Sequence, residues 1–119
     1  MPKTVLVVDD DLTHVKIVQS RLTKEGFDVV AAINGEGGLQ KLESKTPDLI
    51  ILDIQMPNMN GFTFLLELRK QKKFDRIPVI VVTSHSELEP IFRVNGIKDY
   101  ILKPVDTNLL FKKMKTLGL

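Results

Sequence analysis

Three carboxylates and one ammonium stand at the ends of short apolar runs. Asp9 and Asp10 follow Val5-Leu6-Val7-Val8, Asp53 follows Leu49-Ile50-Ile51-Leu52, and Lys103, beside Pro104, follows Tyr100-Ile101-Leu102. An acid placed directly after a buried strand, ahead of a proline-containing loop, is poorly explained by packing. Gathered in one pocket, Asp9, Asp10 and Asp53 would repel one another and raise each other's pKa unless a cation were present. A hard divalent ion resolves that conflict. Mg²⁺ takes one or two carboxylates, retained waters and phosphate oxygens, and Mn²⁺ suits the same oxygen donors. Lys103 supplies further positive charge. Thr83 adds a neutral hydroxyl after Val79-Ile80-Val81-Val82.

A carboxylate can attack phosphorus to form an aspartyl phosphate, with a metal and an ammonium stabilising the transferring group. Asp53, the acid farthest in sequence from the paired acids, is the natural nucleophile. Asp10 would bind the metal directly, and Asp9 directly or through water. Plainer roles stand beside these: Asp10 or Asp11 as a helix cap, Thr83 as an ordinary strand residue, Tyr100 as a half-buried strand aromatic.

The elements that must position these groups are legible in the pattern. Apolar runs at roughly 4–8, 27–33, 48–52, 78–82 and 99–102 are rich in Val and Ile and mostly apolar throughout. Strands buried on both faces, as in a helix-covered parallel sheet, read this way. Between them lie helical patterns. Residues 12–25 align Val15, Val18 and Leu22; 35–44 align Leu39 and Leu42; 60–71 align Phe64, Leu65 and Leu68; 106–117 align Leu110, Met114 and Leu117. Asp11 and Asp106 are N-cap candidates, and Gly26 and Gly96 are C-terminal stops. Segment 86–95 contains Pro90, tolerated only in a first turn, so a short or irregular fourth helix is expected from Glu87 or Leu88. The repeating order predicts an α/β fold, a doubly wound five-stranded parallel sheet with helices on both faces. Ligands of such sheets bind outside the carboxyl ends of the strands, where Asp9, Asp10, Asp53, Thr83 and Lys103 all fall.

Length and composition agree. The chain has 119 residues, 43% hydrophobic and 27% charged, with a net charge of +2. That is the size and balance of one soluble globular domain spanning 1–119. With no cysteine, disulfides, thiolate nucleophiles and thiolate-bound metals are excluded. The short apolar start before Asp9 is too brief for a signal peptide, and no run reaches membrane-span length. A cytoplasmic, non-membrane protein is expected. Basic clusters at 69–73 and 112–115 read as solvated helix ends. They lack interleaved aromatics and are nearly balanced by acids, so no direct nucleic-acid contact is expected.

At these residues the chain resembles the receiver domains of two-component response regulators over essentially residues 3–117. The matching pieces are Val-Val-Asp9-Asp10, Leu52-Asp53-Ile-Gln-Met56-Pro57 with Gly61, Thr83-Ser84, and Asp99-Tyr100-Ile-Leu-Lys103-Pro104. Each alone is weak; in this order, at these strand ends, they are specific. The resemblance implies a flavodoxin-like sheet of order 2-1-3-4-5. It implies Mg²⁺ held by Asp10, Asp53 and the backbone carbonyl of Gln55, with Asp9 helping through water. Asp53 would accept a phosphoryl group from a sensor histidine kinase or histidine phosphotransfer protein, and Lys103 would pair with that group. Lys103-Pro104 would be a cis bond, and Pro57 and Gly61 would shape the loop. Thr83 and Tyr100 would act as the switch pair. The surface of the fourth helix, fifth strand and fifth helix would then change for a downstream protein, with the chain a monomer or a weak phosphorylation-linked dimer. Gln55 and His85, two residues after Asp53 and Thr83, would tune the lifetime of the phosphoryl group. One departure is visible. The interval from Thr83 to Lys103 is slightly shorter than the family pattern and contains Pro90, which bears on the fourth helix and on switching.

The expected function is that of a switch and not an enzyme, beyond Mg²⁺-dependent self-phosphorylation and slow dephosphorylation. The chain would be a stand-alone receiver or the receiver part of a larger regulator or hybrid kinase. An Asp-nucleophile phosphatase or hydrolase is a remote alternative: it needs a second acid where Gln55 stands, and a cap domain. A flavin carrier on the same fold needs a hydroxyl-rich phosphate loop after the first strand, where Asp9-Asp10-Asp11 would repel phosphate.

Overall fold

Five short runs of β-branched and aliphatic residues pair as a parallel sheet in the computed structural model, which describes residues 2–56, 59–94, 97 and 99–119. The order along the chain is β1 (Thr4–Val8), α1 (Leu12–Lys24), β2 (Asp28–Ala32), α2 (Gly35–Ser44), β3 (Leu49–Asp53), α3 (Gly61–Arg69), β4 (Val79–Thr83), a 3-10 turn (Ser86–Leu88), α4 (Glu89–Val94), β5 (Tyr100–Leu102) and α5 (Thr107–Thr116). In space the strands run β2-β1-β3-β4-β5, the order expected. Register puts Val8 beside Ala32 and Leu52, Asp53 beside Val82, and Thr83 beside Leu102. The strand ends therefore finish nearly level.

Because side chains alternate across a strand, each run feeds two cores. Leu6, Val8, Ile50, Leu52 and Val81 pack with Leu42, Phe64, Leu68 and Phe92 from α2, α3 and α4. Val5, Val7, Leu49, Ile51, Ile80 and Val82 pack with Val15, Val18 and Leu22 from α1 and with Leu110 and Met114 from α5. The largely apolar strands β1 and β3 are buried throughout, Thr4 and Asp53 included, whereas edge strand β2 is half-exposed, with Asp28 at the surface.

Local chemistry sets the helix ends. Asp11 accepts from the Thr13 and His14 amides, and Asp106 accepts from Asn108 and Leu109, satisfying donors that a first turn leaves without partners. At the end of α1, Gly26 adopts φ +92°. The Gly26 amide donates to the Thr23 carbonyl and the Phe27 amide to the Leu22 carbonyl, the Schellman closure that favours glycine. Gly96, the other expected stop, lies outside the described residues. The segment after β4 divides into a 3-10 turn and a six-residue α4. Pro90 sits in the first turn of α4, where its missing N–H is not needed. Helices α1, α3 and α5 are each slightly shorter than the sequence pattern suggested. Among the described residues, no helix is long and apolar enough to cross a membrane.

Candidate functional site

The strand order reverses between β1 and β3, and the acids lie there. β1 ends at Val8 and delivers Asp9, whose amide donates to the Ala32 carbonyl at 3.0 Å. β3 ends on Asp53 itself. One carboxylate oxygen from each of Asp9, Asp10 and Asp53 lies within 4.8 Å of the other two. Asp9 and Asp53 are buried and Asp10 is exposed. From the other side β5 delivers Lys103, whose amide donates to the Thr83 carbonyl at 2.7 Å. Its Nζ stands 3.1 Å from Asp9 Oδ2, 3.2 Å from Asp9 Oδ1 and 3.5 Å from Asp53 Oδ2. The Lys103–Pro104 peptide bond is cis.

Around this centre, the Gln55 amide donates to Asp53 Oδ1 at 3.2 Å while the Gln55 side chain stays exposed. Thr83 is buried, and its Oγ1 accepts from the His85 amide at 3.1 Å. The His85 ring turns its Nδ1 to Glu87 Oε1 at 2.7 Å. Tyr100 is half-buried, its ring tilted against Phe92 with centroids 5.3 Å apart. Gly61 donates its amide to the Ile54 carbonyl at 2.8 Å. A Cβ on Gly61 would stand 2.6 Å from the Asp53 carbonyl oxygen, so only glycine lets α3 start so close to the acid-bearing turn. Pro57 lies outside the described residues.

The electrostatics follow from burial and crowding. Burial pushes the Asp53 carboxyl up, the neighbouring Asp9 charge pushes it further, and its pKa reaches about 7 despite the opposing pull of Lys103 and the Gln55 amide. Burial also raises Asp9, but donors outweigh it and hold the group below the ordinary carboxylate range: first His14, then the Asp11 amide and Lys103. Burial disfavours the Lys103 ammonium, yet Asp9 and then Asp53 keep it protonated above the usual lysine range. One carboxylate is firmly ionised and its neighbour resists ionisation, as expected for two acids sharing too little positive charge. The all-oxygen donor set and this deficit of positive charge fit a hard divalent cation. Asp9, Asp10 and Asp53 would hold it.

The sequence reading gathered Asp9, Asp10, Asp53, Thr83 and Lys103, and the strand ends bring them to one edge. It overlooked His14. The ring, on the buried face of α1 with Val18 and Leu22, places Nδ1 2.6 Å from Asp9 Oδ2. The available signal was a polar residue one turn before Val18 on an otherwise apolar stripe, just after the acid pair. A cavity of about 410 Å³, lined by Phe62, Leu65, Ile77 and Ile91 and by the charged Arg69 and Asp99 among others, contains none of these groups. The site is identified by its chemistry and not by its volume.

Known proteins carry the same architecture. The family model described as response regulator receiver domain matches residues 5–115. The chain is 36% identical over 110 residues to Protein PilH of Pseudomonas aeruginosa, covering 91% of each. It is similar to the solved chemotaxis protein CheY4 of Vibrio cholerae, with TM-score 0.89, 28% identity and 98% coverage of both chains. It is also similar to the response regulator TrrA of Thermotoga maritima, solved in complex with Mg²⁺-BeF, with TM-score 0.84, 34% identity and coverage of 97% and 98%. Other relatives are longer: the chain spans 49% of one Bacillus subtilis transcriptional regulatory protein that it matches.

Proposed function

This chain belongs to the response regulator receiver domain family, and on that premise we propose that it is a phosphorylation switch with Asp53 as the acceptor. The observation that carries the reading is the position of Lys103 Nζ, between Asp9 and Asp53, at the edge where three carboxylates converge. An Asp53 oxygen attacks phosphorus, the bond from phosphorus to the donor's histidine nitrogen breaks, and that nitrogen keeps the electron pair and takes up a proton. When bound to Asp9, Asp10, Asp53 and the Gln55 carbonyl, Mg²⁺ would supply the charge that keeps the carboxylates ionised and neutralises the phosphoryl oxygens. Lys103 leaves Asp9 to pair with the phosphoryl group.

Thr83 gives up the contact with the His85 amide and turns its hydroxyl toward the phosphoryl oxygen. Tyr100 repacks against Phe92 and moves inward. Gln55 and His85 border the route by which water reaches phosphorus and set how long the modification lasts. Glu87 fixes the His85 ring. The switch is a shift between two packings, biased by the phosphoryl group.

The α4–β5–α5 face suits a protein partner. Ile91 and Val94 on α4, Leu102 on β5 and Leu109 on α5 are all large apolar residues exposed there. The donor is a sensor histidine kinase or a histidine phosphotransfer protein, the location is cytoplasmic, and the chain works as one receiver domain without direct nucleic-acid contact.

Amide NMR spectra with Mg²⁺ and beryllofluoride, a phosphoryl mimic, test the switch. Thr83, Tyr100, Lys103 and the α4 amides should move together. Movement confined to Asp53 and its immediate neighbours would refute a coupled switch.

A further inference from the structure

His14 is spent on Asp9 in a way that packing does not require. It lies on the stripe of α1 that otherwise carries Val15, Val18 and Leu22 into the core, and it is only 6% exposed. An ionised carboxylate only accepts hydrogen bonds, so the 2.6 Å contact from Nδ1 to Asp9 Oδ2 puts a proton on Nδ1. The other ring nitrogen, Nε2, is buried and makes no hydrogen bond among the described residues. Leaving such a group unpaired costs about 1–3 kcal/mol, which an aliphatic side chain at the same place would avoid. The ring is therefore poorly explained as core and well explained by its contact with Asp9.

The donors on Asp9 divide into fixed and movable ones. Oδ1 accepts from the Asp11 amide at 2.9 Å and Oδ2 from His14. Both donors belong to the N-terminal turn of α1 and cannot leave. Lys103 Nζ touches both oxygens from a flexible stem. Asp9 is fully buried, so once Lys103 departs, the Asp11 amide and the His14 ring are the contacts among the described residues that still fix the plane of its carboxylate.

Resting on the reading of this site as a divalent-cation and phosphoryl site, we propose that His14 is a positioning residue, whose Nδ1–H holds the Asp9 carboxylate oriented for the cation when Lys103 is drawn to Asp53. Loss of partners that orient ligand groups typically weakens metal binding by about 10–100-fold. Asn can place an amide N–H near the position of Nδ1; Gln and Leu cannot.

The test is Mg²⁺ titration by calorimetry of the wild type, His14→Leu, His14→Gln and His14→Asn, with ¹⁵N NMR of the wild-type rings. Only His14 and His85 contribute histidine signals, and His85→Ala separates them. His14→Leu and His14→Gln should bind Mg²⁺ about 10–100-fold more weakly, with His14→Asn within about threefold of the wild type. The wild-type ring should carry its proton on Nδ1. Near-wild-type affinity in the Leu and Gln variants, an Asn variant as weak as either, or a ring protonated only on Nε2 would overturn the proposal. If the Leu variant fails to fold, the Gln and Asn pair and the ring spectrum still decide it. A wild type that binds no Mg²⁺ would instead remove the functional reading itself, and this proposal with it.

Discussion

Replacing Asp53 with asparagine should make the metal-free protein more stable, and increasingly so as pH rises. Asp53 is only 3% exposed, and burial together with the Asp9 charge pushes its pKa from 3.8 to about 7. In the unfolded chain the carboxyl ionises near its ordinary value. Between these limits the folded state binds more protons than the unfolded state, so stability falls as pH rises through the window and stays low above it. At about 1.4 kcal/mol for each tenfold change in a proton equilibrium, the full displacement destabilises the ionised protein by about 4 kcal/mol at pH 8. At pH 5 only the first part of the window has been crossed, and the same reasoning leaves well under half of that.

Asparagine is a neutral isostere of the protonated carboxyl, so Asp53→Asn should recover most of that penalty. Lys103 keeps both oxygens of Asp9 as partners and is not stranded by the change. The assay is urea denaturation of both proteins in EDTA at pH 5 and pH 8. The variant should gain about 2–4 kcal/mol at pH 8 and clearly less at pH 5. Equal stability at pH 8, or the same gain at both pH values, would refute the argument that crowded charge destabilises the site.

Other consequences follow from the same geometry. If Asp10 holds the cation as proposed, Asp10→Asn removes one of its few carboxylates, so calorimetry should find Mg²⁺ binding at least about tenfold weaker, with urea stability changed by less than about 0.5 kcal/mol because the side chain is exposed. Gly61→Ala drives a methyl group to 2.6 Å from the Asp53 carbonyl oxygen; denaturation should register a loss of about 1–3 kcal/mol. Asp11→Ala strips the cap from the Thr13 and His14 amides, which thermal or urea unfolding should read as a loss of about 1 kcal/mol.

Most of the fold was legible because a buried parallel strand has few disguises. Val5–Val8 and Leu49–Leu52 are apolar on both faces, and their spacing leaves room only for crossover helices. The strand-end rule then places Asp9, Asp10, Asp53, Thr83 and Lys103 at one edge without any side-chain detail. What stayed hidden depends on tertiary contact. The edge strand β2 has the same apolar Val29-Val30-Ala31-Ala32 character that marks a buried run, so its half-exposure follows from its position at the sheet edge. His14 falls on an apolar stripe by periodicity, and only the turn from β1 into α1 reveals that its ring meets Asp9. The division of charge between Asp9 and Asp53 was equally invisible, since it depends on which carboxylate the fixed donors reach.

Phosphoryl transfer to one residue is the central claim, and intact mass measures it directly. The protein is incubated with Mg²⁺ and acetyl phosphate, beside a parallel sample in EDTA and the Asp53→Ala variant. A single phosphoryl group should appear on the wild type with Mg²⁺ and be absent from both controls. An adduct that persists in Asp53→Ala, or a wild type that binds Mg²⁺ and gains no mass, would contradict the account.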